Sequence, residues 1–216
     1  AVVDGIKKLI NGFDASEVAG ISFGGQMHGL VILDENDNVI RPAILWNDGR
    51  TTKQVDYLNN EIGKEKLSEY TANIAFAGLT APKILWVKEN EPENFAKIAK
   101  IMLPKDYIAY KMTGVHSCDY SDASGMLLLD VKNKCWSKEM MEICDVKEEQ
   151  LPKLFESYEV TGSLTEEAAA ALTRYFRNHF HFQQRIWRRP FQRSSFFRPR
   201  RRKLPFDGLH AQCCFL

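Results

Sequence analysis

Apolar residues along this chain fall into two rhythms, one helical and one strand-like. Ile6, Leu9, Ile10 and Phe13 recur at helical spacing behind Asp4, which is placed to cap the first turn. Residues 18–23 form a short, branched apolar run that reads as a strand. Residues 30–33 and 39–40 flank the polar stretch Asp34-Glu35-Asn36-Asp37-Asn38, a hairpin pattern. Residues 43–46 read as a further strand, with a helix from near Asp48 through Val55 and Leu58. Ile84, Leu85, Trp86 and Val87 belong to a helix behind Pro82. Ile101-Met102-Leu103 is a short buried strand closed by Pro104, and 105–112 is a helix. Residues 126–131 pair as a strand with a turn near Asp130 and Asn133, and 138–144 is helical. Thr165-Glu166-Glu167 opens a capped helix. Helices alternating with strands, hairpins among them, predict an α/β domain with a mixed sheet.

Candidate chemistry sits in the gaps of this pattern. Gly24-Gly25-Gln26-Met27-His28-Gly29 separates two strands. Its glycines permit a sharp turn and the close approach of a ligand, to which the loop offers an amide, a thioether and an imidazole. Taken alone, the same residues make a plain hairpin with a buried Met. A second segment changes the balance. Arg41-Pro42-Ala43-Ile44-Leu45-Trp46-Asn47-Asp48-Gly49-Arg50-Thr51 ends an apolar run in Trp, Asn, Asp and Arg.

Together the two segments resemble the FGGY family of carbohydrate kinases, and within it the members acting on xylulose. Gly78-Leu79-Thr80-Ala81-Pro82-Lys83-Ile84-Leu85-Trp86-Val87-Lys88-Glu89-Asn90 fits a family signature at every constrained position. Asp119-Tyr120-Ser121-Asp122-Ala123-Ser124-Gly125 is similar to another family segment, with Met126 where Thr is usual. The resemblance runs from about residue 1 to Thr173. It implies a ribonuclease-H-like domain, as in actin and hexokinase, here an incomplete N-terminal sugar-binding domain. It also implies transfer of the ATP γ-phosphoryl group to D-xylulose, with Mg²⁺ bridging phosphates. Kinases for ribulose, gluconate or fuculose are the alternative within the family. By the same resemblance, Met27 and His28 contact the sugar and Gln26 supports the loop. Trp46 is an apolar wall, while Asn47 and Asp48 hydrogen-bond hydroxyls. For His28 an imidazole held by backbone groups stays open, for Trp46 core packing, and for Asp48 a helix cap. Arg50 reads as half of a structural ion pair, and Lys83 and Trp86 as packing and helix-surface residues.

Two parts of the kinase machinery find no match. The family's catalytic base is an Asp in a Gly-Asp-Asn/Gln-Ala-Ala type loop after the helix matching 165–172, and no such loop follows here. No catalytic residue is therefore assigned. Asp122 is the substitute candidate, although Asp119 and Asp122 stand in a turn-rich stretch where carboxylates commonly cap amides. The family's Asp-x-Gly-Thr turn would precede Ala1, and neither a Walker A sequence nor a GxGxxG supplies a phosphate cradle. The expectation is a segment that carries a sugar pocket, assigns no residue to ATP or Mg²⁺, and lacks kinase activity by itself.

Charge divides the chain at Thr173. Residues 174–216 hold ten of the twelve arginines, eight of the thirteen Phe and a formal charge of +10, against −9 for residues 1–173. The overall +1 thus says nothing about partners. A basic, aromatic nucleic-acid-binding segment is one reading of this tail, attached to a non-catalytic remnant. A membrane-surface helix is another, opposed by the lack of a sustained helical period. The preferred reading is an altered reading frame. Gly codons shifted by one base become Arg or Trp codons, and the break falls inside the family match. Domain boundaries follow: 1–173 for the sugar-binding domain, 174–216 for an anomalous tail. No apolar run is long enough to span a membrane, and no signal peptide is read. Cys118, Cys135, Cys144, Cys213 and Cys214 form no CxxC pair and read as thiols of a reducing cytoplasm. The expected partner is a small sugar, with no membrane, nucleic acid or metal site.

Overall fold

Strand pairs rather than one continuous sheet carry the α/β order. The computed structural model describes residues 1–9, 11, 18 and 20–172, with the backbone of 181–183 and 212–215. In chain order the elements are α1 (Val2–Leu9), β1 (Ile21–Gly24), β2 (Val31–Leu33), α2 (Thr52–Asp56), α3 (Lys64–Thr71) and α4 (Thr80–Asn90). Then come α5 (Pro92–Phe95), β3 (Lys100–Met102), α6 (Pro104–Thr113), β4 (Ser117–Asp119), α7 (Tyr120–Ser124) and β5 (Leu129–Asp130). The series ends with β6 (Cys135–Trp136), α8 (Lys138–Cys144), β7 (Lys153–Phe155), β8 (Val160–Ser163), α9 (Glu166–Leu172), β9 (His181–Gln183) and β10 (Gln212–Phe215). Among the described residues β4–β7 pair in parallel, while β1–β10, β2–β3, β5–β6 and β8–β9 are antiparallel. Both kinds of pairing occur, but in separate two-stranded pairs and not in the one mixed sheet expected. Of the 174–216 tail only β9 and β10 are described, so its reading as frame-shifted or nucleic-acid-binding sequence lies outside the described residues.

Local polar signals placed most boundaries. Asp34 Oδ1 accepts from the amides of Asn36 and Asn38, closing the predicted hairpin at a Leu33–Val39 bridge. Asp130 accepts from Asn133 at the β5–β6 turn. Pro104 occupies the first turn of α6, and Gly114 ends that helix in the left-handed region with φ 71°. Thr165 Oγ1 accepts from the Ala168 amide at the start of α9.

Several boundaries differ from the expectations. The strand expected at 126–131 is confined to Leu129–Asp130, because 125–127 form a turn with Leu127 in the left-handed region at φ 60°. The strand expected at 18–23 begins only at Ile21 and runs to Gly24. α1 begins at Val2, with the Gly5 amide bonded to the Ala1 carbonyl, so Asp4 lies inside the first turn instead of capping it. Ile10 and Phe13 lie outside the described residues. The strand expected at 43–46 is a single bridge, Leu30 to Ile44. Pro42 lacks a donor, and a turn closed by Asp48 N–H to Leu45 O leads the chain away. The next helix starts at Thr52, because Asp48 turns its carboxylate onto the Arg50 amide.

Two main cores result. The larger joins Leu30, Ile32, Ile44, Leu79, Ile84, Ile101 and Leu127 to Trp136 and Met140. A smaller one packs Ile6, Ile21 and Phe23 against Ala109, Met112 and Leu172. Leu30, Ile44 and Leu79 anchor the ends of three loops in the larger core, and those loops carry the candidate chemistry.

Candidate functional site

The Gly24–Gly29 turn takes its left-handed residue from His28, not from a glycine: His28 has φ 64°. Such a conformation costs a non-glycine residue about 1–3 kcal/mol and persists where the surroundings over-determine it. Here α4 does so. Thr80 and Lys83, one helical turn apart, both donate to the His28 carbonyl, at 3.2 and 3.0 Å. The glycines serve close packing. A Cβ on Gly25 would stand 2.9 Å from Lys105 Cβ, and one on Gly29 would strike Pro104. The loop therefore rests on the start of α6.

The His28 ring is half-buried and lies against Gly125, where a Cβ would collide with it. Its Nδ1 is buried without a hydrogen-bond partner. Burial lowers the imidazole pKa from its ordinary value, helped by the Lys83 charge and opposed by the Gly125 backbone and Asp122. Burial thus favours the neutral ring. Met27 beside it is 53% exposed, which overturns the buried-Met hairpin. Gln26 is half-buried in the same turn.

Lys83, read with Trp86 as a packing or helix-surface residue, is buried. Its Nζ donates to the carbonyls of His28, Gly78 and Leu79. Burial depresses its pKa to about 8, with Asp48 pulling the other way. Trp86, half-buried, carries the Arg50 guanidinium 4.6 Å above its ring.

Residues 45–51 run beside 76–80. Thr51 Oγ1 donates to Ala77 O, and a Cβ on Gly78 would meet the Trp46 carbonyl at 3.0 Å. Trp46 is 54% exposed, as is Phe76, so Trp46 is not a core residue. Asn47 is exposed. Asp48 does not cap a helix through its carboxylate. Its two oxygens take Arg50 Nε at 2.9 Å and Nη2 at 2.7 Å, the ion pair expected for Arg50. Hydrogen bonds from Arg50 hold the Asp48 carboxyl below its usual range.

Behind His28 lies a second buried lysine. Lys105 Nζ contacts Asp106 at 2.6 Å, Asp119 at 2.8 Å and Asp122 at 3.1 Å. Asp119 also caps α7 by accepting from the Ser121 and Asp122 amides. Burial lowers the Lys105 pKa, but Asp106, Cys118, Asp119 and Asp122 reverse this and hold it well above its ordinary value. Asp106 is pushed up by burial, while Asp119, despite burial, is drawn down by Lys105.

The structure thus gathers the loops bearing Gln26, Met27 and His28 and bearing Trp46, Asn47 and Asp48 onto the start of α4. Phe76, Lys83, Lys105 and Gly125 were not singled out as site residues. The signals available were the Thr-x-x-Lys spacing in 80–83 and a Lys-Asp pair directly after Pro104. Among the described residues no group of three His, Cys, Asp or Glu side chains could hold a metal ion. No helix among them is long and apolar enough to cross a membrane.

Comparison with known proteins gives this geometry a family. The N-terminal domain of the FGGY family of carbohydrate kinases matches residues 1–174. A xylulose kinase of Lactococcus lactis is 47% identical over 169 residues, covering 78% of this chain and 33% of its own. The chain spans about a third of the length of the curated relatives it matches. The crystal structure of a xyloylose kinase from Brucella ovis has a TM-score of 0.76 at 36% identity, over 86% of this chain and 37% of that one. A gluconate kinase from Lactobacillus acidophilus has a TM-score of 0.75 at 28% identity, over 80% of this chain and 35% of that one. With four-fifths of its residues inside the family domain, and sugar kinases as its structural neighbours, the chain belongs to the FGGY family of carbohydrate kinases.

Proposed function

We propose that these loops bind D-xylulose for a kinase that transfers the γ-phosphoryl group of ATP to it, giving D-xylulose 5-phosphate and ADP. The observation that carries the reading is the meeting of the His28 loop, held on Thr80 and Lys83 of α4, with the Trp46–Asp48 loop, packed on Gly78 just before that helix. A polyol needs hydrogen-bond partners for its hydroxyls and apolar faces for its C–H edges. The half-buried His28 imidazole is the polar group read as the partner of a sugar hydroxyl. Met27 and Trp46, both more than half exposed, cover the apolar edges. Asn47 reaches a second hydroxyl, Gln26 supports the turn, and Asp48 acts through its pair with Arg50. Identity of 47% to a xylulose kinase supports the choice of sugar.

Family membership implies ATP with Mg²⁺. The described residues do not fit that group. Asp106, Asp119 and Asp122 are all turned onto Lys105. Asp122 is accordingly read as a support beneath His28 and not as the base. The chain by itself is proposed to bind sugar without phosphorylating it. The 174–216 tail is read as out of frame, which resequencing the codons for 172–177 tests. A cytoplasmic setting fits the unpaired thiols of Cys118, Cys135 and Cys144.

A kinase for another sugar is the second reading, and the likeness to a gluconate kinase favours gluconate within it. Calorimetric titration of the chain with D-xylulose and D-gluconate decides between them. D-xylulose is expected to bind, and His28→Ala to weaken it at least about tenfold, which is about 1.4 kcal/mol. Tighter binding of D-gluconate overturns the xylulose assignment. ATP-dependent phosphorylation of xylulose by this chain alone overturns the claim of inactivity.

A further inference from the structure

We propose that the Lys83 ammonium is a positioning residue for sugar binding: its three N–H bonds, spent on the carbonyls of His28, Gly78 and Leu79, hold the His28 turn on α4 in its receiving conformation, and its deprotonation releases that turn. This inference rests on the sugar-binding reading above. An ammonium has three hydrogens, and here each meets a carbonyl oxygen. A neutral amine has two hydrogens and a lone pair, so one carbonyl would face a lone pair instead of a donor. The acceptors belong to two separate loops, which this one cation therefore clamps together. His28 is the residue least able to hold its place unaided, because its φ is 64°. Thr80 Oγ1 alone would remain on its carbonyl.

The groups around Lys83 leave the clamp as the switch. On the Gly24–Gly29 loop, His28 has its pKa lowered, by burial first, away from the range of Lys83. On the 45–50 loop, Asp48 is ionised and held by Arg50. Residues 72–79 carry no ionisable side chain. On α7, Asp122 bears on His28 and pairs with Lys105. Lys83 itself, depressed by burial to about 8, changes charge within reach of neutral pH.

The experiment is D-xylulose titration of the full chain from pH 7 to pH 9, in the native sequence and in Lys83→Met. Binding that requires a proton on a group titrating near 8 weakens about tenfold over that interval. The native chain should show this loss, and K83M should bind weakly and equally at both pH values. In parallel, the backbone carbonyl ¹³C signals of His28, Gly78 and Leu79 should shift with a midpoint near 8 in the native chain and not in K83M. Affinity of the native chain that is flat with pH, or K83M binding as tightly as the native chain at pH 7, overturns the inference. Absence of any sugar binding by the native chain at pH 7 overturns the sugar reading. The carbonyl titration then tests Lys83 independently of sugar, since signals that do not move with pH overturn the clamp. Should K83M not fold, the native pH profile and carbonyl titration decide alone.

Discussion

Lys83 and Lys105 are both buried, both near the His28 turn, and opposite in every electrostatic respect. Lys83 is surrounded by neutral carbonyls and its pKa falls to about 8 under burial. Lys105 is surrounded by carboxylates, and their charge overrides its burial to hold the proton firmly. Burial alone therefore does not fix the state of a buried lysine; the formal charge of its acceptors does. A cation on dipoles can be discharged near neutral pH, and a cation on carboxylates cannot. The first suits a device that moves, and the second suits a post.

The largest effect should come from removing the post. Lys105→Met leaves Asp106 and Asp119 buried without their cation, and losing one partner of a buried ion pair costs about 3–5 kcal/mol. Urea denaturation should show that loss or no cooperative transition. A variant as stable as the native chain would mean that the carboxylates protonate at little cost, which would remove the contrast between the two lysines.

A middle-sized effect tests how the post meets the turn. Gly125→Ala drives a Cβ into the His28 ring. Overpacking of this kind costs about 1–3 kcal/mol, and here it should fall on sugar affinity more than on the melting temperature, because the displaced ring is the proposed sugar contact. Unchanged D-xylulose affinity in a folded G125A chain would separate α7 from the site.

The smallest effect is the stability change with pH, and its sign separates the lysines. Lys83 has a folded pKa below its unfolded value of 10.5, so between about 8 and 10.5 the unfolded chain holds the extra proton. Its contribution to stability therefore rises with pH in that window. Lys105, raised above 10.5, contributes below that value and loses its contribution only at still higher pH. Cys144, pushed up to about 12 by burial, lowers stability above pH 9, as does Cys118. Subtracting the K83M profile from that of the native chain isolates Lys83. A difference that rises from pH 8 to 10 is expected, while sugar affinity falls over the same range. A flat difference would show that Lys83 keeps its ordinary pKa in the folded chain and stays charged across this window.

What could be read from the residues alone was whatever is decided within a few positions. The Asp34 and Asp130 turns, Pro104 at the head of α6, and the bounds of α8 all depend on hydrogen bonds or dihedral limits spanning four residues or fewer. The Gln-Met-His and Trp-Asn-Asp loops were legible as chemistry for the same reason, since their residue types are contiguous. The ion pair of Arg50 with Asp48, two positions apart, was legible too.

Tertiary packing set everything that depends on which segments meet. The 43–46 run has strand-forming residues, yet only Ile44 finds a partner, because pairing requires a neighbour and the Leu45–Asp48 turn removes it. Lys83 looks like a solvated helix lysine until the His28 and Gly78 carbonyls, fifty-five and five positions away, close over it. Lys105 likewise meets Asp119 fourteen positions later. A charged side chain is indifferent to burial in the sequence, because the acceptors that make its burial tolerable come from elsewhere in the fold. The order of residues determined the chemistry that each loop could offer; the packing of α4, α6 and α7 decided which charges stand behind it.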